Sequence, residues 1–371
     1  MVTDLTDFVR FYLTPAAGYT PGASRLTDRP VIRLDWNESP WPLSPTAQEV
    51  LVNFQRGNRY PDYSQAPLRK ALGEYVGFDS SRIVAGAGLD DVFMTLAMLL
   101  IEPGDEIVIA DPTFGIYRSL FTLHGAVVRN VPLGPAPEFA LDVDGMLDAV
   151  NEQTKLVILC NPNNPTGHLF PREAIEQIVD GVSCPVAIDE AYAEFSGIDH
   201  LDLAESRNNV IVLRTLSKFA GLAGFRVGYG IFPEVLVPYL QRVTPAFANI
   251  TTLSAEIAIA SLNDLDYLKA NRDRIVTERM RVIVALDAMA GVMPFPSATN
   301  FVLFRLPVAD STSVLDALAR HDVFIRRYGT PGWGLEDCLR VSIGTSVEND
   351  AFLAALSAVL QEQSALEEAT T

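Results

Sequence analysis

The sequence predicts an α/β protein: a large domain with a mostly parallel sheet sandwiched by helices, joined to a smaller α+β domain. Two observations predict it. Between residues 82 and 232, short apolar β-rich runs alternate with amphipathic stretches, and apolar strands spaced by helices imply a parallel sheet covered on both faces. After about residue 250 the rhythm changes to a long charged helical pattern followed by shorter strand patterns.

In chain order, strands are expected at RIVAG (82–86), EIVIA (106–110), VVRNV (127–131), KLVILC (155–160), PVAID (185–189), VIVL (210–213) and RVGYGIF (226–232). Helices are expected in DDVFMTLAMLLIEPG (90–104) and REAIEQIVDGV (172–182), where PG or G supplies a stop signal. The second region begins with a single long helix over 254–289. It continues with strand patterns in NFVLFRL (300–306), DVFIRR (322–327) and CLRVSIG (338–344). No internal repeat or low-complexity linker interrupts the pattern.

Composition narrows the function classes. A chain of 371 residues with 49% hydrophobic and 20% charged residues can bury a substantial core. Its formal net charge of −18 disfavours nucleic acid and anionic membrane as partners, since an acidic surface repels both. Cys160, Cys184 and Cys338 are dispersed and odd in number, which fits buried thiols in a reducing cytoplasm. The first residues, MVTDLTDFVRFYL, carry acids where a signal peptide would carry bases. His124, His168, His200 and His321 show no ligand spacing, so no metal site is expected.

The strand ends carry the chemistry. In open α/β sheets, ligands bind beyond the carboxyl ends of the strands. KLVILC runs into NPNNPTG with Asn164; PVAID ends on Asp189, with Tyr192 three residues on; VIVL leads through Arg214 and Thr215 to Ser217 and Lys218. Taken singly, each has an ordinary reading as a cap, a turn or a snorkelling amine. Parallel strands bring all three ends to one edge. A lysine amine condenses with an aldehyde, and pyridoxal phosphate offers one. Asp189 would pair with its pyridinium nitrogen, and Asn164 and Tyr192 would bond its ring oxygen. Ser217 and Arg226 would hold its phosphate together with N–H groups at the helix start in GAGLDD (86–91).

At this point the sequence resembles the fold-type I pyridoxal-phosphate aminotransferases, and within them the histidinol-phosphate aminotransferases. The matching stretches are LDWNESP (34–40), NRYPD (58–62), GAGLDD, EPGDEIVIADPTFGIY (102–117), NPNNPTG, AIDEAYAEF (187–195), LRTLSKFAGLAGFRVGY (213–229), SATNFVLFRL (297–306) and EDCLRVSIGT (336–345). The resemblance implies an aspartate-aminotransferase-like fold whose small domain comes from both chain ends. Its divisions are an N-terminal segment over 1–45, a cofactor-binding domain over 46–265 and a C-terminal small domain over 266–371.

The resemblance also implies roles. Lys218, Asp189 and Tyr192 are the catalytic set. Leu89 and Asp90, through their N–H groups, join Ser217 and Arg226 at the cofactor phosphate, and Phe114 stacks on the ring where relatives often carry tyrosine. Tyr60 reaches the cofactor phosphate of the second subunit of a homodimer. Asn37 lies at the substrate, Arg340 clamps the substrate carboxylate, and Tyr19 and Arg326 bind a substrate phosphate. The alternating pattern DVFIRR turns Arg326 inward beside a buried Phe324. Relatives usually have a serine where this chain has Leu89, which removes one hydroxyl contact to the cofactor. The implied activity is transamination of histidinol phosphate with 2-oxoglutarate, cytoplasmic, in histidine biosynthesis. Alternatives within the same fold are an aromatic aminotransferase and a threonine-phosphate decarboxylase.

Overall fold

The computed structural model describes residues 5–13, 30–243, 249–308, 311–330 and 332–370. Its strands in chain order are β1 (Ile32–Arg33), β2 (Ile83–Gly86), β3 (Glu106–Asp111), β4 (Val127–Pro132), β5 (Thr154–Cys160), β6 (Val186–Asp189), β7 (Val210–Thr215) and β8 (Gly228–Ile231). They continue as β9 (Met293–Pro294), β10 (Phe301–Arg305), β11 (Val323–Phe324), β12 (Arg326–Arg327) and β13 (Cys338–Ser342).

Seven strands form the main sheet in the order β2-β8-β7-β6-β5-β3-β4. The pairs from β7 through β4 are all parallel. Strand β8 runs antiparallel to both of its neighbours. That reversal was not legible in RVGYGIF and has a consequence: the start of β8 lies at the edge where the other strands end, which delivers Arg226 to that edge. Val, Ile and Leu on both faces of β5, β6 and β7 are completely buried, one face in each of two hydrophobic clusters. At about 25 cal/mol per Å² of apolar surface, this two-sided burial is what holds the strand ends in place.

The second region is organised around Phe301–Arg305, the central strand of the four-stranded antiparallel sheet β12-β13-β10-β9. β1 pairs in parallel with β11 and so ties the start of the described core to this region. Two expectations need correction here. The long helix over 254–289 is two helices, Thr252–Asn263 and Leu265–Asp287. Asp264 breaks them: its carboxylate accepts from Thr46 N and Oγ1, both at 2.8 Å, and is not free to sit on a continuous helix face. DVFIRR is also not one strand. β11 and β12 belong to different sheets, and the residues buried there are Val323 and Ile325, with Phe324 half-buried. Arg326 therefore owes its orientation to pairing with β13, not to alternation with Phe324.

Candidate active site

A cavity of about 1120 Å³ opens at the carboxyl edge of the main sheet. Lys218, Asp189, Tyr192, Asn164, Ser217, Arg226, Leu89, Asp90, Phe114, Asn37, Arg326 and Arg340 all line it. Tyr60 does not line the cavity and is 84% exposed, and Tyr19 lies outside the described residues.

Asp189 ends β6 and is 3% exposed. Tyr117 donates its hydroxyl to Asp189 Oδ2 at 2.5 Å, and the Ala191 N–H donates to Oδ1 at 3.0 Å. Burial pushes this carboxyl up to about 6, against the pull of those two donors. Tyr117 escaped the sequence reading. It is wholly buried, with its ring 5.1 Å from Phe93 and edge-on to Phe114 at 5.7 Å. Its position in PTFGIY, three residues after Phe114 and in the first turn of the helix Ile116–Thr122, was the available signal.

Lys218 follows β7 and donates its Nζ to the Trp36 carbonyl at 2.9 Å. Burial, with Arg340 and Arg226 adding repulsion, lowers its amine to about 8. A lysine so placed has an appreciable neutral fraction near neutral pH, as a nucleophilic amine requires. Tyr192 receives the Asn37 amide at 2.9 Å and the Asn164 amide at 3.5 Å. Asn37 is itself fixed by Ser342, which bonds both its N–H (2.8 Å) and its side-chain oxygen (3.0 Å).

The helix Leu89–Leu100 begins at the end of β2 with no side-chain cap, so its first N–H groups face the cavity. Gly88 has φ 88, and a Cβ there would lie 2.3 Å from the Arg226 guanidinium. At Gly228 a Cβ would lie 2.3 Å from the Leu89 nitrogen. Glycine at both points is therefore a steric requirement of the cradle. Arg226, itself at φ 52, pairs with Asp90 at 2.9 Å. Uncapped helix N–H groups, a hydroxyl and a guanidinium form a donor set suited to a phosphate. Beside them stand an amine, a buried carboxylate and an aromatic face. The residues present fit pyridoxal phosphate.

Comparison with known proteins decides the family. The model of the family "Aminotransferase class I and II" matches residues 29–356. The chain belongs to this family. Among its relatives, histidinol-phosphate aminotransferase from Dehalococcoides mccartyi is 36% identical over 96% of this chain and 99% of that protein. The enzyme of the same name from Roseiflexus castenholzii is 39% identical over 89% of this chain and 90% of its own. The crystal structure of histidinol-phosphate aminotransferase from Sinorhizobium meliloti in complex with pyridoxal-5'-phosphate superposes with a TM-score of 0.84 at 30% identity, covering 90% of this chain and 92% of that one. An aspartate aminotransferase variant from Thermus thermophilus, 19% identical, shares the fold with a TM-score of 0.79.

On this aminotransferase the second wall of the cavity comes from the antiparallel sheet. Arg326 and Arg340 face each other in register across β12 and β13. Arg340 is 4% exposed and donates to Asn164 Oδ1 at 2.6 Å, to the Tyr328 hydroxyl and to the Asp35 carbonyl at 2.7 Å. Sequence reasoning also missed Tyr328 and the carbonyls of Asp35 and Trp36. Backbone acceptors leave no signature in residue type.

Proposed function

We propose that this chain is a pyridoxal-phosphate aminotransferase that moves an amino group between histidinol phosphate and 2-oxoglutarate, in histidine biosynthesis. One observation carries the substrate reading: two guanidiniums, Arg326 and Arg340, stand in register on one cavity wall. Such a wall suits substrates that carry an anion on or near the reacting carbon, whether the α-carboxylate of glutamate or a phosphate monoester. The names of the curated relatives support the same reading.

When bound, pyridoxal phosphate supplies an aldehyde that takes up amines and a ring that accepts the electron pair released at the substrate Cα. Lys218 binds the cofactor and, once its amine is free again, carries the proton to and from Cα. The Trp36 carbonyl, already 2.9 Å from Nζ, orients that amine. Asp189 holds the proton of the ring nitrogen, and Tyr117 keeps its carboxylate turned to receive it. Asn164 and Tyr192 bond the ring oxygen, and Phe114 excludes water from one ring face. Leu89, Asp90, Ser217 and Arg226 hold the phosphate. Arg340 takes a substrate carboxylate. Arg326 takes the substrate phosphate, and Tyr19 shares that role in this reading.

The proposed assembly is a cytoplasmic homodimer with shared sites. Tyr60 is highly exposed, and the nearby Val52 and Tyr63 are 82% and 78% exposed, which suits an interface between copies. The proposed division is 46–265 for the cofactor domain, with 1–45 and 266–371 for the small domain. The aromatic and decarboxylase alternatives have no specific observation in their favour.

The deciding assay compares 2-oxoglutarate-dependent consumption of histidinol phosphate, phenylalanine and threonine phosphate. Histidinol phosphate should lead, and Arg326→Ala should lower its kcat/KM by roughly 30-fold or more, as loss of a charge-assisted contact implies. Equal use of phenylalanine, or no effect of Arg326→Ala, sinks the substrate reading.

A further inference from the structure

We infer that Asn249 keeps the phosphate cradle open by drawing the Asp91 carboxylate away from the start of the helix Leu89–Leu100. This rests on the assignment of the Leu89 and Asp90 N–H groups to the cofactor phosphate. The first turn of that helix holds a conflict, because Asp90 and Asp91 are both acidic. Carboxylates there favour the empty helix, since they can take up its free N–H groups and complement its dipole. The same charge and the same occupancy oppose a phosphate.

Each acid is turned aside by its own partners. Asp90 pairs at 2.9 Å with Arg226, a cation that itself belongs to the cradle. Asp91 is held by two neutral donors: its Oδ2 accepts the Ala87 N–H at 2.8 Å and the Asn249 side-chain amide at 2.7 Å. Ala87 precedes the helix, so this carboxylate folds back over the turn after β2, and no side chain caps the helix start. A Cβ on Gly86 would come within 2.9 Å of the same oxygen, so glycine at that point leaves the carboxylate its place.

The Asn249 amide is fixed from three directions. Its Nδ2 donates to Asp91 and, at 3.3 Å, to the Ala85 carbonyl. Gln65 Nε2 donates to its Oδ1. A reversed amide would set one acceptor against another at Asp91 and one donor against another at Gln65. Asn249 therefore acts as a positioning residue, with Gln65 setting its orientation. Without that amide, Asp91 loses a donor on the side away from the cradle and can swing over the N–H groups that the phosphate needs.

The test uses Asn249→Leu, which is similar in size and lacks the amide, in cofactor-free protein. In fluorescence titrations, pyridoxal phosphate should bind the variant about tenfold more weakly than wild type, as a carboxylate competing for the cradle implies. Pyridoxal, which has no phosphate, should bind both within about twofold. A purely structural role would weaken the two alike. Adding Asp91→Asn removes the competing charge and should bring pyridoxal phosphate affinity back to within about threefold of wild type. Gln65→Leu, which leaves Asn249 in place, should show part of the same phosphate-specific loss, and it decides the matter if Asn249→Leu does not fold. Equal loss for both ligands, no loss for either, or no rescue by Asp91→Asn would each overturn the role of Asn249. Wild type that binds pyridoxal as tightly as pyridoxal phosphate would overturn it as well, and would do so by removing the cradle assignment itself.

Discussion

Two charged centres lie back to back at the ends of β6 and β7, and they treat charge in opposite ways. On the far face of the sheet, Glu190 is completely buried and fully partnered. Arg214 donates to its Oε2 from Nε and Nη2 at 2.9 and 2.8 Å, and His200 bonds its Oε1 through the backbone N–H and Nδ1. Arg214 also meets Asp199 at 3.2 Å. On the cavity face, Asp189 has two neutral donors and no cation, while Arg340 has three neutral acceptors and no carboxylate among the described residues. The two acids are adjacent, Asp189 ending β6 and Glu190 following it, and side chains alternate across extended chain. Charge neutralised within the chain holds the strand ends together. Charge left for a ligand to neutralise marks the site, and it should show as activity lost and stability gained on removal.

The largest break in that comparison is Lys218→Ala. Without the amine, transamination should fall by at least a thousandfold, a loss in the upper range for a nucleophile and proton carrier. Borohydride treatment of wild type loaded with pyridoxal phosphate should fix the cofactor mass to the peptide containing Lys218. Turnover near wild type in the alanine variant, or the label on another peptide, defeats the assignment.

Asp189→Asn comes next and should move two observables in opposite directions. Activity should drop about 100- to 1000-fold, because the ring nitrogen loses its anionic partner. Stability of the cofactor-free protein should rise on the order of 2 kcal/mol at pH 7. The sign follows from the raised carboxyl. Burial lifts Asp189 from 3.8 to about 6, so the cost of ionising it is absent below about 4 and complete above about 6. Thermal unfolding of the cofactor-free pair should therefore show the Asn variant ahead at pH 7, with the gap closing as the pH falls toward 4. A gap that is constant with pH rules out the buried charge as its cause.

Glu190→Gln should do the reverse. Removing one member of a buried ion pair strands Arg214 and costs about 3 kcal/mol, partly relieved by Asp199 and by Glu194 at 3.9 Å. The folded fraction should retain kcat within about threefold, because Glu190 faces away from the cavity. Denaturant unfolding beside active-site titration separates the two effects, and a large kcat loss in fully folded variant would make Glu190 part of the catalytic machinery.

How much of this contrast the sequence revealed varies with the element. The cavity residues at strand ends were legible because parallel strands with polar termini admit one geometry. Strand direction at β8 was not, since an apolar run carries no sign of its sense. The break at Asp264 was hidden because helical periodicity continues through it, and the capping role appears only once Thr46 is brought near. Tyr117 and Tyr328 look like core aromatics in the sequence, and only their hydroxyl partners in space give them a role. The same holds for Glu190 against Asp189: two adjacent acids in AIDEAY are told apart only by which face each occupies.

The smallest expected effect concerns Lys218 and pH. Its amine, lowered from 10.5 to about 8 chiefly by burial, is about one-tenth neutral at pH 7, half neutral at pH 8 and mostly neutral by pH 9.5. Only the neutral amine attacks an aldehyde. The rate at which cofactor-free protein takes up pyridoxal phosphate should therefore rise about tenfold between pH 7 and pH 9.5, with its midpoint near 8. Stability carries the matching sign: the cost of burying the cation is full below about 8 and gone above 10.5, so Lys218→Ala should stabilise the cofactor-free protein most near neutrality and not at all in strong alkali. Stopped-flow absorbance across this range measures the first effect and thermal unfolding the second. An uptake rate that climbs roughly 300-fold from pH 7 to 9.5 without levelling would show that the amine is not held below its ordinary range, and the cavity would then lack the dry, cation-repelling character that Arg340 and Arg226 give it.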